Sequence, residues 1–382
     1  MSFRPVPGPG CGPAKSKADS AYAESPRHEP DSSASSSASR ATDDGRGSRP
    51  LLPGVYVPTV CFFDPVSEDL DTARIATHAV RLARAGVAGL ATQGSNGEAV
   101  HLTHAERQTV TQTTRSALDA AGFPHLPLIV GCGAQSVRET IQYCQEAHAA
   151  GGDCALVLPP SYYAPLFSPA AASILAYFHA VAAQSPIPLL IYNYPGAVCG
   201  LDLSSDLIIQ LAAHPNIVGV KLTCGNTGKL NRIVAATRPA APPPRAGAAP
   251  AFLVLGGSAD FTVQSLVGGG HGILAGLANI APQACVELLR LYREGRLAEA
   301  QQLQEVVARG DWAAIQGGIV ATKAVMESWL GYGGYARSPL PRPTGSDCDR
   351  WTESFRELVA LEKSLYGRRG ARGTPGVETS LT

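Results

Sequence analysis

A lysine at the end of an apolar run is the first residue whose type and place suggest chemistry. In "GVKLTCG" (219–225), Val218, Gly219 and Val220 lead directly to Lys221, one of six lysines in a chain whose positive charge is carried mainly by arginine. Burial disfavours an ammonium ion and so favours the neutral amine. That form adds to a carbonyl and, on losing water, leaves a Schiff base, an electron sink for making or breaking carbon–carbon bonds beside a ketone. The bland alternative is a strand-end lysine whose stem lies along apolar surface and whose charge sits in water. Tyr192, in "YNYPG" (192–196), offers a phenol that could pass protons to a carbinolamine, or an aromatic that simply fills a core. "QGSNGE" (93–98) sets Ser95 and Asn96 in a glycine-flanked turn. Free N–H groups in such a turn can hold a carboxylate, although Ser, Asn and Gly also make ordinary turns.

These groups come together only if the elements carrying them converge. From Val55 onward short apolar runs alternate with helical segments. The strand candidates are 55–63, 87–92, 127–131, 154–158, 188–193, 217–222, 251–256 and 272–276. Between them, "DTARIATHAVRLARAG" (71–86) puts Ile75, Ala79, Leu82 and Ala83 on one helical face, and "SVRETIQYCQEAHAAGG" (136–152) ends on glycines as helices do. Eight strand–helix units repeating every ~30 residues predict an α/β fold, a (β/α)8 or TIM barrel. A doubly wound open sheet is the alternative, weakened because no GxGxxG follows the first strand. In the barrel, strand C-terminal ends carry chemistry, so Ser95, the "PPSYYAP" segment (159–165), Tyr192, Lys221 and "GHGILAG" (270–276) would share one rim.

The expected organisation is a disordered tail over 1–50, a barrel over 51–285, a C-terminal helical domain over 286–365 and a flexible tail over 366–382. The first fifty residues are rich in Ser, Pro, Gly and charge and bury almost nothing. Their acidic residues Asp19, Glu24, Glu29, Asp31, Asp43 and Asp44 argue against a mitochondrial presequence, so the reading is cytoplasmic with mitochondrial import as the alternative. "RPAAPPPRAGAAP" (238–250) reads as an exposed loop insertion. With 31 acidic and 31 basic residues, the chain carries no charge signature for nucleic acid or an anionic membrane. No apolar run approaches the ~20 residues of a membrane helix. Nine scattered cysteines without CxxC pairs read as reduced thiols. Metal-assisted carbon–carbon cleavage would need clustered His and carboxylate ligands; His101 and His271 make no such set, so no metal is expected.

Four motifs in order, "GSNGEAVHLTHAER" (94–107), "YNYPG", "HPNIVGVKLTCGN" (214–226) and "GGGHGILAGLANIAP" (268–282), with "SPL" (338–340) beyond them, resemble the dihydrodipicolinate synthase / N-acetylneuraminate lyase (DapA) family over about residues 54–345. The resemblance implies a (β/α)8 barrel with a C-terminal helical extension. It also implies a homotetramer built as a dimer of dimers, and class I aldol chemistry through a lysine–pyruvate Schiff base without metal or cofactor. Position by position, Lys221 matches the Schiff-base lysine and Tyr192 the catalytic tyrosine. Ser95 and Asn96 match the site of the pyruvyl carboxylate and proton relay, and Tyr163 a tyrosine reaching a neighbouring subunit's site. Ile273 matches a residue whose backbone carbonyl faces the pyruvyl group.

Two departures narrow the substrate. Dihydrodipicolinate synthases usually carry two threonines where Ser95 and Asn96 stand, and an arginine shortly after the Tyr-Asn-x-Pro motif, where this chain reads "GAVCG" (196–200). Without that cation a bidentate grip on a substrate carboxylate is missing. The Ser-Asn pair looks more like 4-hydroxy-2-oxoglutarate aldolases and fungal-type relatives, including 2-keto-3-deoxy-sugar-acid aldolases. The expected reaction is therefore cleavage of a 4-hydroxy-2-oxo acid to pyruvate, glyoxylate or both. The alternatives are a condensing enzyme or dehydratase using the same lysine, and a barrel retained as a non-catalytic scaffold. Thr223, Cys224 and Asn226 are candidates for the distal end of the substrate by position alone.

Overall fold

A computed structural model describes residues 49–167, 170–239 and 249–371, with side chains to 367. All but the last two residues of the expected N-terminal tail lie outside these, as do residues 240–248 of the Pro/Ala-rich insertion and 372–382 of the C-terminal tail.

Eight parallel strands close into a barrel in sequence order: β1 (Gly54–Pro58), β2 (Gly89–Thr92), β3 (Leu128–Gly131), β4 (Cys154–Val157), β5 (Leu189–Asn193), β6 (Ile217–Leu222), β7 (Leu253–Gly256) and β8 (Gly272–Leu274). Side chains alternate across each strand, and the two faces separate into two cores. Tyr56, Ala91, Ile129, Leu156, Leu190, Leu253, Leu255 and Leu274 fill the barrel interior. Val55, Val57, Leu90, Val130, Val157, Ile191, Val220, Val254 and Ile273 pack outward against helices. Each such buried aliphatic side chain stabilises the fold by about 1.5–3 kcal/mol.

The helices between strands are α1 (Thr72–Arg84), α2 (His104–Ala120), α3 (Val137–Ala149), α4 (Ala170–Gln184), α5 (Ser205–Leu211), α6 (Thr227–Thr237), α7 (Thr262–Val267) and α8 (Pro282–Arg293). Local chemistry explains their limits. Asp71 caps α1, Ser136 caps α3, and Thr103 with Glu106 forms a reciprocal capping box on α2. Ile75, Ala79, Leu82 and Ala83 are all buried, as their spacing predicts.

The first strand is shorter than the apolar run 55–63 suggests. Thr59 still donates to the Ala91 carbonyl, but the Val60 N–H turns to the Asn279 side chain. The chain leaves the ladder there, and Phe62 packs on His78 and Tyr332 instead. The run is apolar because it is buried, not because it is paired.

Beyond α8 the chain forms α9 (Leu297–Leu330), broken at Gly318, then α10 (Gly345–Ser354) and α11 (Arg356–Ala371). Gly310 lets α9 and α11 approach closely, since a Cβ there would stand 2.6 Å from Leu358 Cδ2. Among the described residues, no helix is long and apolar enough to cross a membrane, and the eight cysteines are unpaired.

Candidate active site

β5 and β6 are neighbours, and their register sets Tyr192 opposite Lys221. Val220 and Leu222 belong to the outer core, so Lys221 between them points inward, as Tyr192 does with the interior cluster. Both are 4% exposed, and the Lys221 Nζ lies 4.1 Å from the centre of the Tyr192 ring. Gly219, two residues before Lys221 on the same face, lets β6 pack closely on β7. A Cβ there would sit 2.3 Å from the Leu253 carbonyl.

Ser95 comes from the β2–α2 turn. Its Oγ lies 3.4 Å from the Tyr192 hydroxyl, with either atom able to donate. Asn96 lies against the exit of β8, where a Cβ on Gly276 would be 2.6 Å from its Nδ2. The turn is held in an uncommon shape: Gln93 (φ 56°) and Glu98 (φ 53°) are both left-handed without being glycine, at a cost of roughly 1–3 kcal/mol each. Compensation is local. Gln93 Nε2 donates to the Arg107 carbonyl and to Thr111 Oγ1, while Glu98 is held by the buried Lys323 at 3.0 Å.

Ile273 is the central residue of β8 and fully buried, with its side chain in the outer core, so only its backbone is available to the barrel interior. Tyr163 stands apart. It is 61% exposed beside a short 3-10 turn, its ring edge-on to Tyr162 at 5.0 Å. No hydrogen bond or ring contact among the described residues joins it to Lys221, Tyr192 or Ser95.

Of the three residues past the lysine, Asn226 is committed to capping α6, accepting from the Lys229 N–H at 2.8 Å. Thr223 Oγ1 is buried with no hydrogen-bond partner, and Cys224 is half-buried. The segment 196–200 brings in no cation of its own, and Lys229 nearby is paired with Asp202. His101 bonds Glu98 and His271 accepts from the Val254 N–H. Among the described residues, no group of three or more His, Cys, Asp or Glu could hold a metal ion.

Residue-level reading missed Tyr194, although it lies in the quoted motif. Two positions from Tyr192 on the same face, it stacks on that ring at 5.7 Å and 22°, and burial pushes its phenol pKa up. Period-2 alternation was the signal that could have found it. Asn193, between them, faces outward and fixes the following loop through Asp202 and the Leu203 N–H.

A buried amine with a phenol opposite, a hydroxyl relay and a tight polar turn suits imine chemistry on a small 2-oxo acid. Comparison with known proteins gives the same direction. The model of the dihydrodipicolinate synthetase family matches residues 52–344. A protein of Emericella nidulans described as "Probable 4-hydroxy-2-oxoglutarate aldolase, mitochondrial" is 56% identical over 317 residues, 83% of this chain and 98% of that one. An L-threo-3-deoxy-hexylosonate aldolase of Hypocrea jecorina is 52% identical, covering 83% and 99%. Among solved structures, a dihydrodipicolinate synthase family protein from Coccidioides immitis superposes with a TM-score of 0.71 at 34% identity, covering 82% and 98%. An E. coli K12 prophage protein of the same family, solved in complex with pyruvate, does so with 0.71 at 27% identity, covering 81% and 99%.

Proposed function

The chain belongs to the dihydrodipicolinate synthetase family, and we propose that it cleaves a 4-hydroxy-2-oxo acid, with 4-hydroxy-2-oxoglutarate as substrate. It is a carbon–carbon lyase of the lysine Schiff-base class. The observation that carries the proposal is the in-register pairing of Lys221 with Tyr192 at the barrel mouth.

The Lys221 amine attacks C2 of the substrate, and Tyr192, in contact with Ser95, delivers the proton that lets water leave the carbinolamine. Loss of the 4-hydroxyl proton then breaks the C3–C4 bond. Its electron pair moves to the iminium nitrogen, giving an enamine on Lys221 and releasing glyoxylate. Protonation at C3 and hydrolysis of the imine release pyruvate and regenerate the amine. Ser95, Asn96 and the turn N–H groups hold the C1 carboxylate throughout. The wholly buried backbone of Ile273 borders the pyruvyl group.

A second reading, with a 3-deoxy-hexulosonate cleaved to pyruvate and a three-carbon hydroxyaldehyde, draws support from a specific feature. Segment 196–200 brings no cation to pair with a second carboxylate, which suits a substrate whose distal end carries hydroxyls. Comparing kcat/KM for the two substrates decides between them. A large preference for the sugar acid overturns the first reading.

The exposed Tyr162, Tyr163 and Leu166 beside the rim support a homotetramer in which Tyr163 serves a neighbouring subunit. A monomer in sedimentation would refute it. The name of the Emericella relative supports the mitochondrial alternative over a cytoplasmic location. The primary test is incubation with pyruvate and borohydride followed by peptide mass mapping. A reduced pyruvyl adduct on Lys221 is expected; its absence from folded protein removes the imine mechanism.

A further inference from the structure

The Ser95–Asn96 turn is tied to the C-terminal helices by one buried ion pair. Glu98 and Lys323 are 1% and 0% exposed at their side chains, with Nζ and Oε1 3.0 Å apart. Both carboxylate oxygens are occupied: Oε1 by Lys323, and Oε2 by the Arg337 backbone N–H at 2.8 Å and His101 Nδ1 at 3.1 Å. Lys323 and Arg337 also lie over the Phe63 ring, at 4.6 and 4.3 Å. Glu98 itself closes the turn, since its N–H donates to the Ser95 carbonyl and the next N–H to that of Gly94. Moving the Glu98 carboxylate therefore moves the two peptide groups that carry Ser95.

We infer that the Glu98–Lys323 pair is a positioning device for the 2-oxo acid carboxylate site, through which helix α9 sets the geometry of Ser95 and Asn96. A buried ion pair is weak evidence of a stabilising role, because its desolvation cost rivals its attraction. An uncommon left-handed residue, pinned at both oxygens beside a ligand turn, fits pre-organisation instead. The pair touches neither substrate nor Lys221 and acts only through the turn. The inference rests on the Schiff-base reading above.

The test uses pyruvate as the probe and reads the pyruvate dependence of borohydride-trapped adduct on Lys221 in the full chain. Glu98→Gln combined with Lys323→Met removes both charges and leaves no unpaired buried ion. Glu98→Asp keeps both charges but shortens the tether by one methylene, and is read if the first variant does not fold. In either, half-saturating pyruvate should rise roughly tenfold or more, the scale of losing a hydrogen bond to a charged group. The maximal extent of trapping should stay near that of the wild type. Unchanged half-saturation with a lowered Tm would make the pair a stability element and overturn the inference alone. No adduct in the wild-type protein would overturn the Schiff-base reading and the inference together.

Discussion

Lys221 and Tyr192 are ordinary residue types made unusual by position. Each is nearly inaccessible, and each faces the other across a strand pair. Lys221→Ala should abolish turnover while leaving the Tm close to the wild-type value; a folded variant that still turns over substrate would remove the imine mechanism. Tyr192→Phe should cut kcat by roughly 10²–10⁴, the range for losing a placed acid–base group. Unchanged kinetics would leave Tyr192 as packing beside Tyr194. At this scale the sequence was informative for the lysine, whose break with its apolar run is visible locally. It named Thr223 by position but not the state of its hydroxyl, buried without a partner, because that is a property of surroundings, not of residue type.

Elements place these residues, and the glycines at strand exits show how. Gly131 ends β3 where a Cβ would stand 1.9 Å from the Gln93 carbonyl, so the adjacent strand exit gives way to the Gln93–Glu98 turn. Gly276 does the same for Asn96. Gly276→Ala should displace the Asn96 amide and raise half-saturating pyruvate by about tenfold, measured by adduct trapping, with the barrel still folded. If saturation does not change, Asn96 makes no contact with the bound acid. The helical segments expected at 71–86 and 136–152 hold α1 and α3, with Asp71 and Ser136 as their N-caps. The end of β1 was not legible, because Val60 to Phe63 are as apolar as the strand and are buried by His78, Tyr332 and Asn279 from far along the chain.

At the scale of the whole molecule, the C-terminal segment reaches back to the strand-exit rim of the barrel. Lys323 of α9 pairs with Glu98, and Arg337, in the loop between α9 and α10, pairs its guanidinium with Glu106. Arg337, with help from the capping Thr103, holds the Glu106 carboxyl down at about 2. A group with a depressed folded-state pKa stabilises the protein above its unfolded value, and that contribution is lost as pH falls through the folded value. Wild-type stability should therefore decline from about pH 4.5 toward pH 2. Glu106→Gln should be less stable near neutrality and flatter through that window, in urea unfolding across a pH series. Parallel curves for the two proteins would show that the pair contributes nothing to acid sensitivity.

By itself the sequence determined the eight-unit barrel and the grouping of Lys221, Tyr192 and Ser95 at one rim. Those follow from periodicity and from the rule that the strand ends of such a barrel converge, and both can be read from short stretches. Tertiary structure alone decided that Lys323, 225 residues from Glu98, is a buried partner of the Gln93–Glu98 turn. It likewise decided that Asn226 is spent as a cap while Thr223 is left unpartnered. Burial and pairing of a polar side chain depend on which distant residues arrive beside it, and local pattern does not encode that.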